Sequence, residues 1–373
     1  MSGDNSKTDM NLETPPKAGP PPRLLSLDAY RGWIMLTLLC AGIFNSLKGH
    51  PTWNWLYVQT EHVEWEGCVY WDLIQPSFMF IVGVAMPLAF SRRAAAGNSW
   101  RQQFRHALFR AFTLMLIGTL LDHFGATTIQ IGFIRVLQQI AIGYILVFFL
   151  LDRSPRVQAT VAGVTLIAYQ LAWMYNPWNG PGGPWAQGNQ NIGSALDQWM
   201  LGRNYSNYYV GSNAIPASVM IFFGVMAGQL LQKNLAPKRI VRVLLISGCA
   251  LLLAGYASGH WFPIIKRIWT PTFTLFAGGW SILFLATFYW LVDAIGWKKW
   301  AFPLIVVGAN SMAAYFMANC LGGWFRSLTD VWIAGLRDPL GAEWFPVLQR
   351  LLFAASAWLV LYWLYRRRIF LKA

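Results

Sequence analysis

Residues 70–90 read YWDLIQPSFMFIVGVAMPLAF, a stretch in which Asp72 is the one charged side chain. A helix needs about 20 consecutive apolar residues to cross the hydrocarbon core of a bilayer, and this stretch is long enough. Arg92 and Arg93 follow it directly, as is typical of the cytoplasmic end of a span. The stretch therefore predicts a transmembrane helix with a carboxylate near one end and cationic side chains beyond the other.

The composition extends this prediction to the whole chain. Of the 373 residues, 56% are hydrophobic and 12% are charged, whereas about a quarter are charged in ordinary soluble proteins. So few charges cannot cover the surface of a soluble enzyme, and so apolar a chain has too much surface to bury to be disordered throughout. The 21 Trp and 14 Tyr suit the aromatic belts of the two membrane interfaces. The predicted fold class is all-α, a polytopic transmembrane helical bundle in contact with the lipid bilayer.

Ten apolar stretches are long enough, or nearly so, to span the membrane. Before them, residues 1–22 are polar and rich in proline, which predicts a disordered cytoplasmic tail, and residues 23–373 form the predicted transmembrane domain. The ten predicted spans are 29–47, 70–90, 104–121, 133–151, 157–174, 214–231, 240–256, 272–295, 302–320 and 345–365.

The distribution of Lys and Arg predicts the orientation. The two terminal segments and the connections on their side hold 19 of these residues, and the other connections hold 7. Cytoplasmic connections carry the excess, so both termini are predicted to lie in the cytoplasm. On the opposite side, the connection 175–213 is long and rich in Gly, Asn, Pro and Trp, which favours an ordered lid or a carbohydrate-contacting surface.

Several classes of partner are excluded by residue pattern. The net charge of +14 is spread over short clusters between apolar spans, so it does not form the continuous basic face of a nucleic-acid-binding protein. The four cysteines, at positions 40, 68, 249 and 320, include no CxxC pair, and the five histidines show no metal-ligand spacing. We therefore expect no nucleic acid, no disulfide framework and no metal.

Ionisable side chains inside apolar spans are costly and mark functional sites by default. Here they include Asp28, Arg31, Asp72 and Arg135. An equally good alternative is that Asp28 with Arg31, and Asp72 with Arg135, are ion pairs that only serve packing.

His62 precedes the span that contains Asp72, in the acidic segment EHVEWEG of residues 61–67. A histidine at this interface can take up a proton near neutral pH, and Glu66 or Asp72 could fix its tautomer. The alternative is an interfacial histidine that caps a helix. The segment alone does not decide between a general base and a cap.

From Arg23 to the C-terminus, the sequence resembles the heparan-alpha-glucosaminide N-acetyltransferases and their bacterial relatives. SLDAYRG at 26–32 is similar to the opening motif of that family, and HVEWEG at 62–67 followed by DLIQPSFMFIVG at 72–83 is similar to its most specific motif. Further matches recur in order at 136–138, 180–183, 224–228, 266 with 269, and 308–311.

The resemblance implies an acyltransferase that carries an acetyl group from cytoplasmic acetyl-CoA to an amino sugar or other glycan on the far side of the membrane. It places the catalytic histidine at His62, beside Asp72, with Asn45 and Glu66 in support. It leaves direct transfer and an acetyl-histidine intermediate both open, and a homo-oligomer open as well. The residues expected to contact acetyl-CoA are Arg31, Arg92, Arg93, Gln138, Lys266 and Asn310.

The sequence also departs from the family pattern. GSNA at 211–214 stands where the family has an acidic DPEG, Gln139 stands where an Arg is usual, and Ile265 stands where an Asn precedes the motif lysine. These positions lie where a donor or acceptor would be held, so the acceptor stays open. The large luminal domain of the lysosomal enzymes is missing from the sequence, which favours a multi-pass protein of a bacterial inner membrane.

Two other functions compete with the acyltransferase. A transporter or flippase of a small polar or glycan substrate would use the intramembrane charges as a substrate or proton path. A binding or scaffold protein that has lost its chemistry would account for the departures from the motifs. Only the enzyme requires His62.

Overall fold

The structure, a computed structural model, describes residues 24–124 and 132–371. The predicted tail, residues 1–22, lies outside the described residues. Within them every regular element is helical. The α-helices are α1 (Leu25–Leu39), α2 (Asn54–Thr60), α3 (Ile74–Ala95), α4 (Trp100–Asp122), α5 (Val136–Phe148), α6 (Pro155–Met174), α7 (Ile192–Leu201), α8 (Ala214–Leu231), α9 (Pro237–Ser258), α10 (Pro271–Phe288), α11 (Phe302–Ala309), α12 (Ser311–Cys320), α13 (Gly322–Trp332) and α14 (Arg337–Arg366). Short 3-10 helices cover Asn45–Leu47, Tyr70–Leu73, Ser206–Tyr208, Gly211–Asn213 and Ala334–Leu336, and a π-helix, Tyr289–Ala294, continues α10.

Capping residues in the sequence mark where several of the helices begin. The Ser99 hydroxyl accepts a hydrogen bond from the Gln102 backbone N–H, and the Gln102 side chain accepts one from the Ser99 backbone N–H, so α4 begins with a capping box. The Thr270 hydroxyl likewise caps α10, with Pro271 at its first position. These bonds satisfy backbone donors that a helix start otherwise leaves unpaired.

The centre of the bundle is the pair α3 and α8, both mostly buried. A Cβ on Gly83 would lie 2.2 Å from the Ile221 carbonyl oxygen, and one on Gly224 would lie 2.1 Å from the Phe80 carbonyl oxygen. Glycine is therefore required at both positions, because the two backbones touch. Such small-residue contacts are typical of helix packing in membranes, where close approach adds dispersion attraction.

The peripheral helices α4, α6 and α9 expose large apolar side chains. On α4, Phe109, Phe112 and Leu120 each expose more than half of their surface. A soluble protein rarely exposes so much contiguous apolar surface, whereas hydrocarbon chains cover it without cost. These faces suit contact with lipid.

By length and composition, seven helical segments in the described ranges could cross a membrane, or eight if α11 and α12 form one broken span. Each of the ten predicted spans contains helix, but α1 has 15 residues and α5 has 13, which is short for a bilayer. The structure shows an all-helical protein with several membrane-spanning candidates. The count of ten and the cytoplasmic placement of both termini stay predictions.

The ninth predicted span is bent by 81° between α11 and α12. The bend lies at Asn310, whose side chain donates to the Ile369 carbonyl oxygen at 3.0 Å and accepts from the Leu371 N–H at 3.0 Å. The side chain thus fixes the chain that follows α14. Hydropathy alone does not show this break, because both halves are apolar.

Candidate active site

Two loops and the start of α3 bring His62, Asp72 and Lys266 together. His62 follows α2, Asp72 lies in the 3-10 turn that precedes α3, and Lys266 lies between α9 and α10. The Gly67 N–H donates to the Ile264 carbonyl oxygen at 2.8 Å, which joins the two loops directly. The Val69 N–H donates to Asp72 Oδ2 at 3.3 Å, so the carboxylate is held by the turn that carries it.

The three side chains form a charge cluster. His62 Nδ1 lies 2.7 Å from Asp72 Oδ1, and Lys266 Nζ lies 3.5 Å from the same oxygen and 3.1 Å from Nδ1. The Asp72 side chain is 0% exposed and that of Lys266 is 6% exposed, whereas that of His62 is 37% exposed. A buried carboxylate needs such partners, because an unpaired buried charge is strongly destabilising.

The short contact to Asp72 indicates the histidine tautomer. An ionised carboxylate only accepts hydrogen bonds, so Nδ1 carries the proton that Asp72 receives at 2.7 Å. A protonated Nδ1 cannot also accept from the Lys266 ammonium, so Lys266 Nζ, 3.1 Å away, acts on this pair through its charge and its contact with Asp72 Oδ1. Nε2 then keeps its lone pair. Of the two candidates that the sequence offered for fixing the tautomer, Asp72 is the one that contacts the ring, whereas Glu66 lies further along the loop that carries His62.

The surroundings favour a neutral ring. Burial lowers the pKa of His62, the nearby Lys266 charge lowers it further, and the Asp72 hydrogen bond opposes both. Burial also lowers the pKa of Lys266, against the attraction of Asp72. A neutral imidazole with a free Nε2 can act as a general base or as a nucleophile.

Cys68 is the nucleophilic side chain next to this cluster. Burial, with the charge of Asp72, raises the pKa of its thiol to about 12. The thiol is therefore protonated and unreactive near neutral pH. Within the described ranges, no group of three or more His, Cys, Asp or Glu side chains could hold a metal ion, and the expectation of a metal-free protein stays a prediction.

His62 and Lys266 open into a cavity of about 360 Å³, which we call the His62 cavity. Its lining is apolar except for a few convergent polar groups, as is typical of small-molecule sites. The lining comprises Met35, Leu38, His62, Trp71, Ile74, Gln75, Phe78, Ile134, Arg135, Val136, Tyr209, Lys266, Tyr315 and Asn319.

A second cavity of about 600 Å³, the arginine cavity, is strongly cationic. Arg31, Arg92, Arg93 and Arg110 line it, and Asp28 is the one carboxylate in the lining among the described residues. Arg31 lies 3.7 Å from Asp28, as in the packing alternative for these two residues. A cavity with this excess of cations can bind an anion, and arginine is suited to phosphate groups.

Three contacts position the other cationic groups of the arginine cavity. Arg93 donates to His106 Nε2 at 2.5 Å, and the Arg110 guanidinium lies 5.0 Å from the centre of the Tyr144 ring. Arg92 Nε donates to the Leu88 carbonyl oxygen at 3.0 Å. His106 and Arg110 were not predicted to contact a donor, because the sequence does not show which residues of α4 face the arginine cavity.

The two cavities meet at Phe78, which lines both and is 6% exposed. The α3 residues in the arginine cavity are Phe78, Val82, Ala85, Leu88, Arg92 and Arg93. Positions 78, 82, 85, 88 and 92 recur every three or four residues, so they form one face of the helix. The arginine cavity therefore runs along α3 from its last turn to Phe78. There the Phe78 ring is stacked on Tyr315 with the centroids 6.5 Å apart.

Arg135 is not paired with Asp72, so the structure does not have the ion pair that the packing alternative placed between these two residues. Its guanidinium bonds to the Asp122 carboxylate and, at 3.4 Å, to Asn319 Oδ1. Asp72 is instead paired with His62 and Lys266, which lie in loops whose positions cannot be inferred from apolar patterns. The spacing of charges along the spans therefore does not show which acid pairs with which base.

The remaining predicted site residues lie in different places. Lys266 belongs to the His62 cluster rather than to the arginine cavity. Gln138 and Asn310 are fully buried and line neither cavity, and Gln138 donates to Asp122 Oδ2 at 3.2 Å. Asn45 lies in a 3-10 helix outside the His62 cavity lining. The structure thus brings His62, Asp72 and Lys266 together, and separately Arg31, Arg92 and Arg93.

The long connection 175–213 packs on the loop that carries His62. Trp65 Nε1 donates to the Trp185 carbonyl oxygen at 2.8 Å, and the Trp185 ring is stacked on Trp173 with the centroids 6.0 Å apart. At its end, Tyr209 lines the His62 cavity. The connection contains α7 and forms part of the wall around His62, and its role as a lid or a carbohydrate-contacting surface stays a prediction.

Comparison with known proteins identifies the family of the chain. Residues 23–253, more than half of the chain, match the family described as heparan-alpha-glucosaminide N-acetyltransferase, catalytic. The human heparan-alpha-glucosaminide N-acetyltransferase is 24% identical over 416 aligned positions, covering 94% of this chain and 60% of the human protein. The mouse protein is 22% identical, with 81% and 54% covered, so the chain spans less than two thirds of either relative. The chain belongs to the heparan-alpha-glucosaminide N-acetyltransferase catalytic family.

Proposed function

We propose that this protein is an integral-membrane acyltransferase. It binds acetyl-CoA in the arginine cavity and transfers the acetyl group to an amino sugar or another glycan acceptor in the His62 cavity. The observation that carries the proposal is Phe78, the common wall between a cationic cavity and a cavity that contains an acid–base cluster.

The arginine cavity fits a donor that is anionic at one end and long. Four arginines around one carboxylate suit the diphosphate and the ribose phosphate of coenzyme A. The apolar face of α3 between Arg92 and Phe78 suits the pantetheine arm, which carries the thioester. The thioester would then arrive at Phe78, next to the cavity of His62.

The charge distribution supports an orientation. Arg92 and Arg93 belong to the set of connections that holds 19 Lys and Arg against 7, so the arginine cavity faces the cytoplasm in this proposal. His62 and Asp72 lie before the other end of α3, whose 22 residues are about 33 Å long. Acetyl-CoA would enter from the cytoplasm, and the acceptor would enter from the outside. The proposed location is the inner membrane of a bacterium.

His62 supplies the chemistry in this proposal. With Nδ1–H donated to Asp72, Nε2 can remove a proton from the acceptor amine as it attacks the thioester, or can carry the acetyl group itself. Lys266 balances the buried carboxylate and keeps the ring neutral before the reaction.

The test is transfer by the purified protein reconstituted in vesicles. Acetyl-CoA labelled in the acetyl group should yield labelled N-acetyl product with at least one member of a panel of amino sugars. A transporter or flippase would instead move a labelled sugar across the vesicle membrane unchanged, with no label transferred from acetyl-CoA. That second result would contradict the enzyme.

The orientation is tested separately by cysteine labelling in intact cells. A Gln187→Cys variant, in the long connection 175–213, should react with a membrane-impermeant maleimide. An Asn98→Cys variant, between α3 and α4, should react only after permeabilisation. The reverse pattern would show that the proposed orientation is wrong.

A further inference from the structure

A chain of three side-chain amides runs from the His62 cavity into the protein. Gln75 Nε2 donates to Gln139 Oε1 at 2.6 Å, and Gln139 Nε2 donates to Asn213 Oδ1 at 2.5 Å. Asn213 Nδ2 then donates to the backbone carbonyl oxygen of Arg267 at 3.4 Å. Gln139 and Asn213 are buried, whereas Gln75 is partly exposed and lines the cavity.

The last acceptor, the backbone carbonyl oxygen of Arg267, fixes the donor-to-acceptor direction of all three hydrogen bonds. A backbone carbonyl cannot donate, so Asn213 must present its nitrogen to Arg267 and its oxygen to Gln139. Gln139 must then present its nitrogen to Asn213 and its oxygen to Gln75. Gln75 uses its nitrogen on Gln139, and its Oε1 is left as an acceptor. Within the described ranges no residue donates to this oxygen, and it is not among the buried atoms that lack a partner, so the cavity can reach it.

We propose that Gln75 binds the acceptor, by accepting a hydrogen bond from its amine, and that this contact selects primary amines over hydroxyl groups. The inference rests on the proposed acyltransferase function. Gln139 and Asn213 are positioning residues, because they act through the orientation of the Gln75 amide.

The selection follows from counting hydrogens. A neutral primary amine has two N–H groups and one lone pair. The lone pair forms the new N–C bond to the thioester carbonyl, one N–H points to His62 Nε2, and the other points to Gln75 Oε1. A hydroxyl has a single O–H, which His62 requires, so Gln75 Oε1 would be left without a donor at a cost of about 1 kcal/mol or more, roughly a fivefold loss.

The step in the direct route is balanced within the site. As the N–C bond forms, the amine proton passes to His62 Nε2. The C–S bond of the thioester then breaks, and the departing thiolate takes that proton from the imidazolium. The products are the N-acetyl sugar and coenzyme A with a free thiol, and His62 returns to its neutral form.

The test compares glucosamine with glucose, which differ by an amine and a hydroxyl at one carbon. For Gln75→Met we expect kcat/KM with glucosamine to fall about three- to tenfold, with the Kd of coenzyme A unchanged. Any transfer to glucose should be unaffected, so the preference for the amine should shrink.

Two matched variants separate positioning from folding. Gln139→Met removes a buried amide of the chain and should reduce the preference for glucosamine in the same direction. Gln158→Met removes another fully buried amide, one that bonds to the Leu150 and Leu151 carbonyls far from the site, and should not change it.

The outcomes distinguish this inference from the proposed function. If the parent protein acetylates neither sugar nor any other amine, the acyltransferase proposal fails, and this inference fails with it. If the parent acetylates glucosamine and folded Gln75→Met keeps the same preference over glucose, only the role of Gln75 is overturned.

Discussion

The His62 cavity and the arginine cavity lie towards opposite ends of α3 and treat charge in opposite ways. In the His62 cavity, the buried Asp72 carboxylate is matched by Lys266 and by the histidine ring. In the arginine cavity, four arginines face one carboxylate among the described residues. The first arrangement fixes a side chain in one protonation state, and the second leaves a field that attracts a mobile anion. We infer that chemistry and donor binding are separated along one helix.

The largest effect is expected from His62→Ala, which removes the group that distinguishes the His62 cavity. Loss of a general base costs about 10²- to 10⁴-fold in rate, and loss of a covalent carrier costs more. Binding of coenzyme A, measured by calorimetry, should be nearly unchanged, because the arginine cavity is untouched.

His260→Ala is the matched control for this experiment. His260 is exposed in the loop after α9 and lines neither cavity. Its replacement should leave transfer unchanged. If the His62→Ala protein folds, binds coenzyme A and transfers acetyl groups at the parent rate, His62 is not the catalytic residue.

Asp72→Asn should be less damaging, with a loss of about 10- to 100-fold in kcat. The imidazole stays in place but is less well oriented, and Lys266 loses its buried counter-charge. Steady-state rates at saturating acetyl-CoA measure the effect, and Asp338→Asn, an exposed acid on α14, is the control. If Asp72→Asn is as damaging as His62→Ala, the two residues act as one unit and their roles are not separable.

Substitutions in the arginine cavity should give the opposite pattern. Of Arg31→Gln, Arg92→Gln and Arg93→Gln, at least one should raise the Kd of coenzyme A about tenfold or more, because charge-assisted hydrogen bonds to phosphate are lost. Arg101→Gln, on the exposed first turn of α4, should not change it. Unchanged binding in all three variants would mean that these arginines serve topology alone.

The smallest effect is expected in the pH profile. A general base works in its neutral form, and burial together with Lys266 lowers the pKa of His62. The acid limb of kcat/KM should therefore lie below the usual histidine range. Lys266→Met removes a positive charge beside the ring, so the His62 pKa should rise and the limb should move to higher pH. Lys266→Arg keeps the charge and should leave the acid limb in place. If Lys266→Met also leaves the acid limb in place, His62 is not the titrating group.

Part of the site was predictable because its residues are unusual where they stand. A carboxylate in the apolar stretch 70–90 and a histidine just before it are conspicuous. Arg92 and Arg93 were conspicuous at the other end of that stretch. The pairing of Arg135 with Asp122 was not predictable, because Asp122 ends α4, Arg135 precedes α5, and the sequence does not show whether Asp72 or Asp122 lies beside Arg135.

Gln75 and Phe78 show a different limit. Within a span, a glutamine and a phenylalanine have ordinary structural explanations, so neither stands out in the sequence. Their importance depends on what each side chain contacts. Gln75 is bonded to the buried amides of α5 and of the segment before α8. Phe78 lies between two cavities.

Composition and residues adjacent in the chain are enough to predict a helical membrane protein, its family, and a histidine and a carboxylate close to residue 62. The partners of these side chains depend on the fold: Lys266 beside Asp72, Asp122 beside Arg135, and the row of amides behind Gln75. The reason is geometric. Hydropathy places each helix in the membrane, but the rotation and depth of one helix against another depend on close packing, as between Gly83 of α3 and Gly224 of α8.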